Sequence, residues 1–260
     1  MLETAIALLA AHVVADFVIQ FSWIIRNKTD LRVFALHVGL VAVTAILALG
    51  AFSFDTAAPW MAIAIVVISH GVLDGVKTFA FKDEWLAIRP RWRFALFSLD
   101  QLGHVIFIAL AAWMASSAFA DGHWAWSLPD RGTGLLEVMT ITAGFLIATR
   151  AGGFAIGIFM ERFKLPGLET KSAQEREDRG LPEAGSWIGL LERALGFVLI
   201  LTGEFQALGF LIAAKSILRF QYARDRSHSE YVIIGTLASF SWAIAAALLT
   251  ESVLARLASA

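Results

Sequence analysis

Cysteine is absent from this chain, which excludes disulfides, thiolate metal ligands and a cysteine nucleophile. Charge is scarce too. Asp, Glu, Lys and Arg make up 17% of the 260 residues and hydrophobic residues 58%, with a mean hydropathy of +0.70, far from the soluble average. Such a composition leaves no room for a large soluble domain and predicts a polytopic membrane protein whose main partner is the lipid bilayer. The net charge of −1 gives no sign of a nucleic-acid partner. Met1-Leu2-Glu3 lacks a basic leader segment, and no small-residue cleavage pattern follows the first apolar run. That run is therefore expected to be a retained helix.

At about 20 apolar residues per crossing, the apolar runs predict spans near 2–25, 33–54, 59–81, 94–120, 134–158, 187–203, 206–221 and 231–255. The expected fold is all-α, a polytopic transmembrane helix bundle of seven or eight spans. The seventh run is short and follows Thr202-Gly203-Glu204-Phe205 closely, so runs six and seven could form a tight or re-entrant hairpin. Residues 1–120 form a four-helix half and residues 134–260 a second half, with a charged loop at 161–186 around Glu175-Arg176-Glu177-Asp178-Arg179.

Lys and Arg concentrate in alternate loops, and such loops are retained on the cytoplasmic side. The first holds Arg26, Lys28 and Arg32. The third holds Lys82, Arg89, Arg91 and Arg93, the fifth Arg162, Lys164, Lys171, Arg176 and Arg179, and the seventh Arg219, Arg224 and Arg226. The intervening loops offer only Arg131. Both termini are thus expected outside the cytoplasm. Trp60, Trp124 and Trp126 would mark the outer interface, with Trp23, Trp85, Trp92 and Trp187 at the inner one.

Ionisable residues inside these spans are costly, and by default they point to function. The first span carries His12 and Asp16, with Gln20 one further turn along. His70 and Asp74 in the third span repeat the spacing, with Lys77 on the same face. The fourth reads Asp100-Gln101-Leu102-Gly103-His104, the same spacing reversed. Because that span runs the opposite way, the reversal restores the spatial order. His12, His70 and His104 are expected at one depth, with Asp16, Asp74 and Asp100 about one turn (~6 Å) nearer the cytoplasm. His37, near the cytoplasmic end of the second span, would approach the carboxylates from below.

Three buried carboxylates in one layer need positive charge among them. Lys77 supplies one, and protonated histidines or a divalent cation could supply the rest. Imidazole with carboxylate and no thiolate suits Zn²⁺, Mn²⁺ or Fe²⁺ better than Ca²⁺. The ligand number suits two ions, or one ion with an outer layer that orients the imidazoles. Bland readings exist for the pieces: His-x-x-x-Asp as a hydrogen-bonded contact, Asp74 with Lys77 as an intrahelical ion pair, His37 as an interfacial residue near Arg32. Three matching pairs within 104 residues are harder to produce by packing alone. His123 and His228 fall in loops and read as surface residues.

In the second half Glu192 and Arg193 are adjacent and point in different directions. Lys215 is the expected partner of Glu192, with Arg219 as the alternative, and a buried pair fixing helix docking is the simplest reading. Gly152, Gly153 and Gly157 permit close helix packing.

The set of Ala11-His12 to Asp16 with Gln20, His37, Ser69-His70 to Asp74 with Lys77, and Asp100-Gln101 to His104 resembles a bacterial polytopic inner-membrane family. It is catalogued as domain of unknown function 3307. Longer members are also similar through Gly185, Ile188-Gly189, Leu191-Glu192-Arg193, Gly209-Phe210, Ala214-Lys215-Ser216 and Glu230-Tyr231. Ser186 departs from the pattern, where the family has a basic residue. The resemblance implies a bacterial inner-membrane location and brings no activity.

Function therefore rests on the residues. The expected activity is metal-dependent hydrolysis of a lipid or another membrane-accessible substrate. His12, Asp16, His70, Asp74, Asp100 and His104 supply the metal ligands, His37 or a spare carboxylate a general base, and Lys77 a cation for developing negative charge. A carrier or channel for divalent cations or protons is the alternative, and the near-repeat of spans one and three favours it. A noncatalytic scaffold is the third reading.

Overall fold

The computed structural model describes residues 1–81, 89–163, 184–220 and 226–259, and all the regular structure among them is helical. In chain order the α-helices are α1 (Leu2–Val14), α2 (Ser22–Asn27), α3 (Leu31–Leu49), α4 (Ala58–Ala80), α5 (Pro90–Met114), α6 (His123–Ser127), α7 (Thr133–Leu146), α8 (Gly152–Met160), α9 (Ala184–Leu201), α10 (Phe205–Phe220) and α11 (Arg226–Ala258). A π-helical turn at Ala15–Ile19 continues α1, and another at Ile147–Ala151 joins α7 to α8.

Among the described residues six stretches are long and apolar enough to cross a bilayer: Leu2–Ile19, Leu31–Leu49, Ala58–Ala80, Pro90–Met114, Pro129–Phe163 and Ser229–Ala258. The chain is a multi-pass membrane protein. The two remaining apolar runs are the helices α9 and α10, turned through Gly203 at φ +76, and α10 includes the shorter apolar stretch Phe205–Ile217. The first span is shorter than its apolar run. Helix breaks off at Gln20 (φ −70, ψ 81), and residues 22–27 form the separate helix α2.

Helix limits follow from local chemistry. The Asp30 carboxylate accepts the Arg32 amide at 2.8 Å and caps α3. Proline lies in the first turn of α4 and of α5, where its missing N–H costs nothing. Gly50 ends α3 in the left-handed conformation (φ 65), and a Cβ there would lie 2.8 Å from the Trp124 ring.

The chain divides into two compact units, one comprising Met1–Leu146 with the segment from Ser252, the other Ile147–Glu251. The core of the first is rich in alanine: Ala7, Ala11, Ala45, Ala62 and Ala111 pack with Leu8, Leu49 and Phe119. Small side chains let helices approach closely where lipid supplies no hydrophobic drive. Ile68, Val72, Leu99 and Ile106 are more than half exposed and face outward, as lipid contact requires. One end of this unit is tied by Met1 and Thr4 to the Ser116 carbonyl, by His123 N–H to Gly50 O, and by Trp124 Nε1 to Leu47 O. His123 sits half-buried there, its ring against Phe52, Trp124 and Trp126, and so is not a plain surface residue. The opposite end carries α2 with Arg26, followed by Lys28. In the second unit Phe197, Ile200, Leu208, Phe240 and Ala247 form the core.

Lys82, Trp85, residues 164–183, Arg224, and the side chains of Arg219, Arg226 and His228 lie outside the described residues.

A buried histidine and aspartate cluster

The four histidines and the aspartates singled out in the first four spans are buried or nearly so, while Lys77 and Gln20 are partly exposed. His12, His37, His70 and His104 expose 3% or less, Asp74 2% and Asp100 8%. The positioning begins in α1. The π-helical turn starts at Ala15, and the first span then stops at Gln20. Wider turns of this kind re-aim side chains and recur at functional sites. Here the turn carries Asp16 toward α3 and α4.

Three imidazoles gather in a layer, one pair stacked, one tilted and one edge-on. The His70 and His104 rings lie 4.3 Å apart and nearly parallel, those of His12 and His104 4.8 Å apart, and those of His12 and His70 5.8 Å apart. His37 joins from α3, its ring centroid 5.1 Å from that of His70.

The tightest convergence lies between α1, α3 and α4. His37 Nε2 and His70 Nε2 are 3.0 Å apart, and Asp16 Oδ1 is 3.6 Å from each. Ligand atoms about 2.0–2.1 Å from one metal ion stand roughly 3–3.5 Å from each other. One side of the triangle falls in that range and the other two lie just above it, and its chemistry is the pattern of two histidines and one carboxylate that leaves further coordination positions open. Asp74 Oδ2 faces the same two nitrogens, at 3.0 Å from His37 and 3.3 Å from His70, and also accepts Lys28 Nζ at 2.5 Å.

A second pair of charges lies on α4 and α5. Lys77 Nζ donates to Asp100 Oδ2 at 2.7 Å, and the Gln101 amide donates to the same oxygen at 3.1 Å. His104 Nε2 is 3.5 Å from Asp100 Oδ1. Lys77 thus pairs across helices with Asp100, and the intrahelical pair with Asp74 does not form. Asp74 takes its ammonium from Lys28, a residue whose place in a basic loop had suggested only topology. Lys28 is steadied by Gln20, whose amide oxygen accepts its Nζ at 2.7 Å in the orientation that satisfies both groups.

Six buried side-chain atoms have no hydrogen-bond partner among the described residues: His12 Nε2, Asp16 Oδ1, His37 Nδ1, His70 Nδ1, Asp100 Oδ1 and His104 Nε2. All six belong to this cluster. Leaving such an atom unpaired costs about 1–3 kcal/mol. Three overlapping sets bring ligand atoms within 4.8 Å of one another: His12 with His70 and His104, Asp16 with His37 and His70, and Asp74 with Asp100 and His104. These groups could hold a metal ion.

Charge limits how many ions fit. Three carboxylates and the two ammoniums of Lys28 and Lys77 sum to −1 with neutral imidazoles. One divalent ion together with one hydroxide would restore neutrality, and so would a single protonated imidazole. Two divalent ions would leave a buried surplus of positive charge.

Residues 4–126 match the family model described as Protein of unknown function (DUF3307). The matched segment contains every residue of the cluster, while the second-half similarity from Gly185 to Tyr231 lies outside it. No curated protein and no solved structure matches the chain.

Proposed function

We propose that residues 4–126, which belong to this family of unknown function, build an intramembrane metal centre for hydrolysis of a lipid or another substrate reaching the membrane. The observation that carries this reading is the buried triangle of Asp16 Oδ1, His37 Nε2 and His70 Nε2, with orphaned donors and acceptors around it. These three residues hold the ion, which is Zn²⁺, Mn²⁺ or Fe²⁺ on ligand chemistry. A divalent ion at such a place lowers the pKa of its water to about 7.

Asp74, whose Oδ2 accepts Lys28 Nζ, stands within 3.3 Å of both ligand nitrogens and is the general base. His12, His104 and Asp100 form an outer layer that orients the imidazoles, though the spacing of sets sharing His70 and His104 also lets them take the ion. Lys77, 40% exposed at the rim, is the cation for developing negative charge.

The site lies toward the end bearing Arg26, Lys28 and Arg32. The excess of Lys and Arg at that end supports a cytoplasmic orientation for it in a bacterial inner membrane, with both termini outside. Counting α9 and α10 as crossings gives eight spans, divided into a site-bearing half at 1–120 and a second half at 134–260. The test is metal-dependent hydrolysis of a bacterial lipid extract by purified protein. Activity in the wild type that is lost in Asp74→Asn, with metal retained, supports the assignment; equal release by both contradicts it.

A second reading, a cation or proton carrier, is favoured by one observation. The first span is interrupted beside Asp16 by a π-helical turn and a break at Gln20, and carriers often place ion sites at discontinuous helices. Cation uptake by proteoliposomes that depends on Asp16 and Asp100 would select it over hydrolysis.

A further inference from the structure

The second unit holds a buried charge that the metal centre does not use. Arg193, on α9, is only 6% exposed. Its Nε donates to the Thr149 carbonyl at 3.3 Å and its Nη1 to Ser239 Oγ at 3.4 Å, both long. Neighbouring Glu192 is taken by Lys215, whose ammonium also lies 5.4 Å from the centre of the Phe240 ring. Among the described residues no carboxylate lies within ion-pair distance of Arg193.

The surroundings are built for the guanidinium. A Cβ on Gly189 would lie 3.1 Å from Nη1 and one on Gly153 3.1 Å from Nη2, while one on Gly152 would lie 3.3 Å from Cδ and 2.6 Å from the Trp242 ring. Three glycines thus let two helix backbones close on the fork, where side chains would crowd it. One structural role is evident. The π-helical turn at Ile147–Ala151 has carbonyls to satisfy, and Trp242 Nε1 takes Ile147 O at 2.8 Å while Arg193 takes Thr149 O. A neutral donor would serve that purpose equally. A guanidinium offers five N–H groups and a full charge, and burying that charge is costly when its nearest carboxylate, Glu192, is out of hydrogen-bond reach and shared with Lys215. Intramembrane arginines that persist at that cost commonly serve a ligand or pathway.

We propose that Arg193, with Ser239 beside it, is the binding point for a singly charged oxyanion, the phosphodiester of an anionic lipid or free phosphate. The planar fork suits two oxygens of such a group, which a lysine would engage only as a point charge. The proposal is independent of the metal centre.

The test uses the full chain in detergent, with native mass spectrometry for lipid retention and thermal unfolding with added inorganic phosphate. Phosphatidylglycerol should be retained in preference to phosphatidylcholine by the wild type. Arg193→Gln, which keeps a donor for Thr149 but not the charge, should lower that retention at least tenfold, and Arg193→Lys should fall between. Should the anion come from solution, phosphate will raise the unfolding temperature of the wild type and not of Arg193→Gln. The proposal is overturned if wild type and Arg193→Gln retain both lipids equally and phosphate shifts neither. If Arg193→Gln does not fold, Arg193→Lys indistinguishable from wild type in both measurements overturns it as well.

Discussion

His37 and His70, on neighbouring antiparallel helices, bring their Nε2 atoms to 3.0 Å with Asp16 Oδ1 3.6 Å from each. Two imidazole nitrogens at that distance share at most one proton, and the Nδ1 atom of each ring is buried without a partner among the described residues. An Nε2 proton on either ring has an acceptor in Asp74 Oδ2, 3.0 Å from His37 and 3.3 Å from His70, and on the proposed reading a cation between the three atoms takes the place of such a proton. Asp16→Asn removes the anionic corner and is expected to reduce metal affinity by more than the 10- to 100-fold typical of outer-layer changes. Metal titration of the purified variant measures this.

Lys28→Gln leaves Asp74 without its ammonium in a setting where the lysine side chain is 13% and the carboxylate 4% exposed. Breaking a buried pair costs about 3–5 kcal/mol. The variant should therefore unfold at lower temperature when freed of metal. Because the cluster becomes more negative, added divalent ion should restore more of that loss than in the wild type. A melting curve with and without metal checks both statements.

For Lys77→Gln the expected cost is smaller. Its side chain is 40% exposed, so water screens the pair with Asp100, and the change in stability should stay within about 1 kcal/mol. Metal content should match the wild type while hydrolysis falls, since Lys77 acts on charge that develops during reaction. Stoichiometry and rate measured on one preparation separate the two roles.

Gly122→Ala tests the packing opposite the site. A Cβ there would meet the Leu49 carbonyl oxygen at 1.8 Å, and backbone cannot step aside as a side chain can. A loss of about 1–3 kcal/mol or more is expected from the forced shift, read from unfolding in detergent.

Much of this arrangement was legible in the sequence. Four-residue spacing placed His12 with Asp16 and His70 with Asp74 on single helix faces, and the reversed order of Asp100 and His104 matched an antiparallel neighbour. Helical periodicity finds neighbours within one helix, and so it offered Lys77 to Asp74. The real partners come from other helices, Asp100 for Lys77 and Lys28 for Asp74. Lys28 was hidden because it follows a break at Gln20, and neither the break nor the π-helical turn before it is marked by proline or glycine. Arg193 was visible as a charge, but its three glycines come from two separate stretches that only the fold brings together.

The absence of cysteine makes topology directly measurable. Single cysteines at exposed Asp30 and Asp55 should react with an impermeant thiol reagent from opposite sides of the membrane, position 55 from outside. Labelling of both from one side would remove the basis for placing the site toward the cytoplasm.

The central claim concerns what fills the cluster, and elemental analysis of detergent-purified protein tests it most directly. Wild type should carry about one equivalent of a transition metal, the number that the charge of the cluster accommodates. A variant with His37 and His70 both changed to Gln should carry none while remaining folded. A folded wild type that binds no transition metal even when supplied with Zn²⁺, Mn²⁺ or Fe²⁺, or equal metal in both proteins, would contradict the claim.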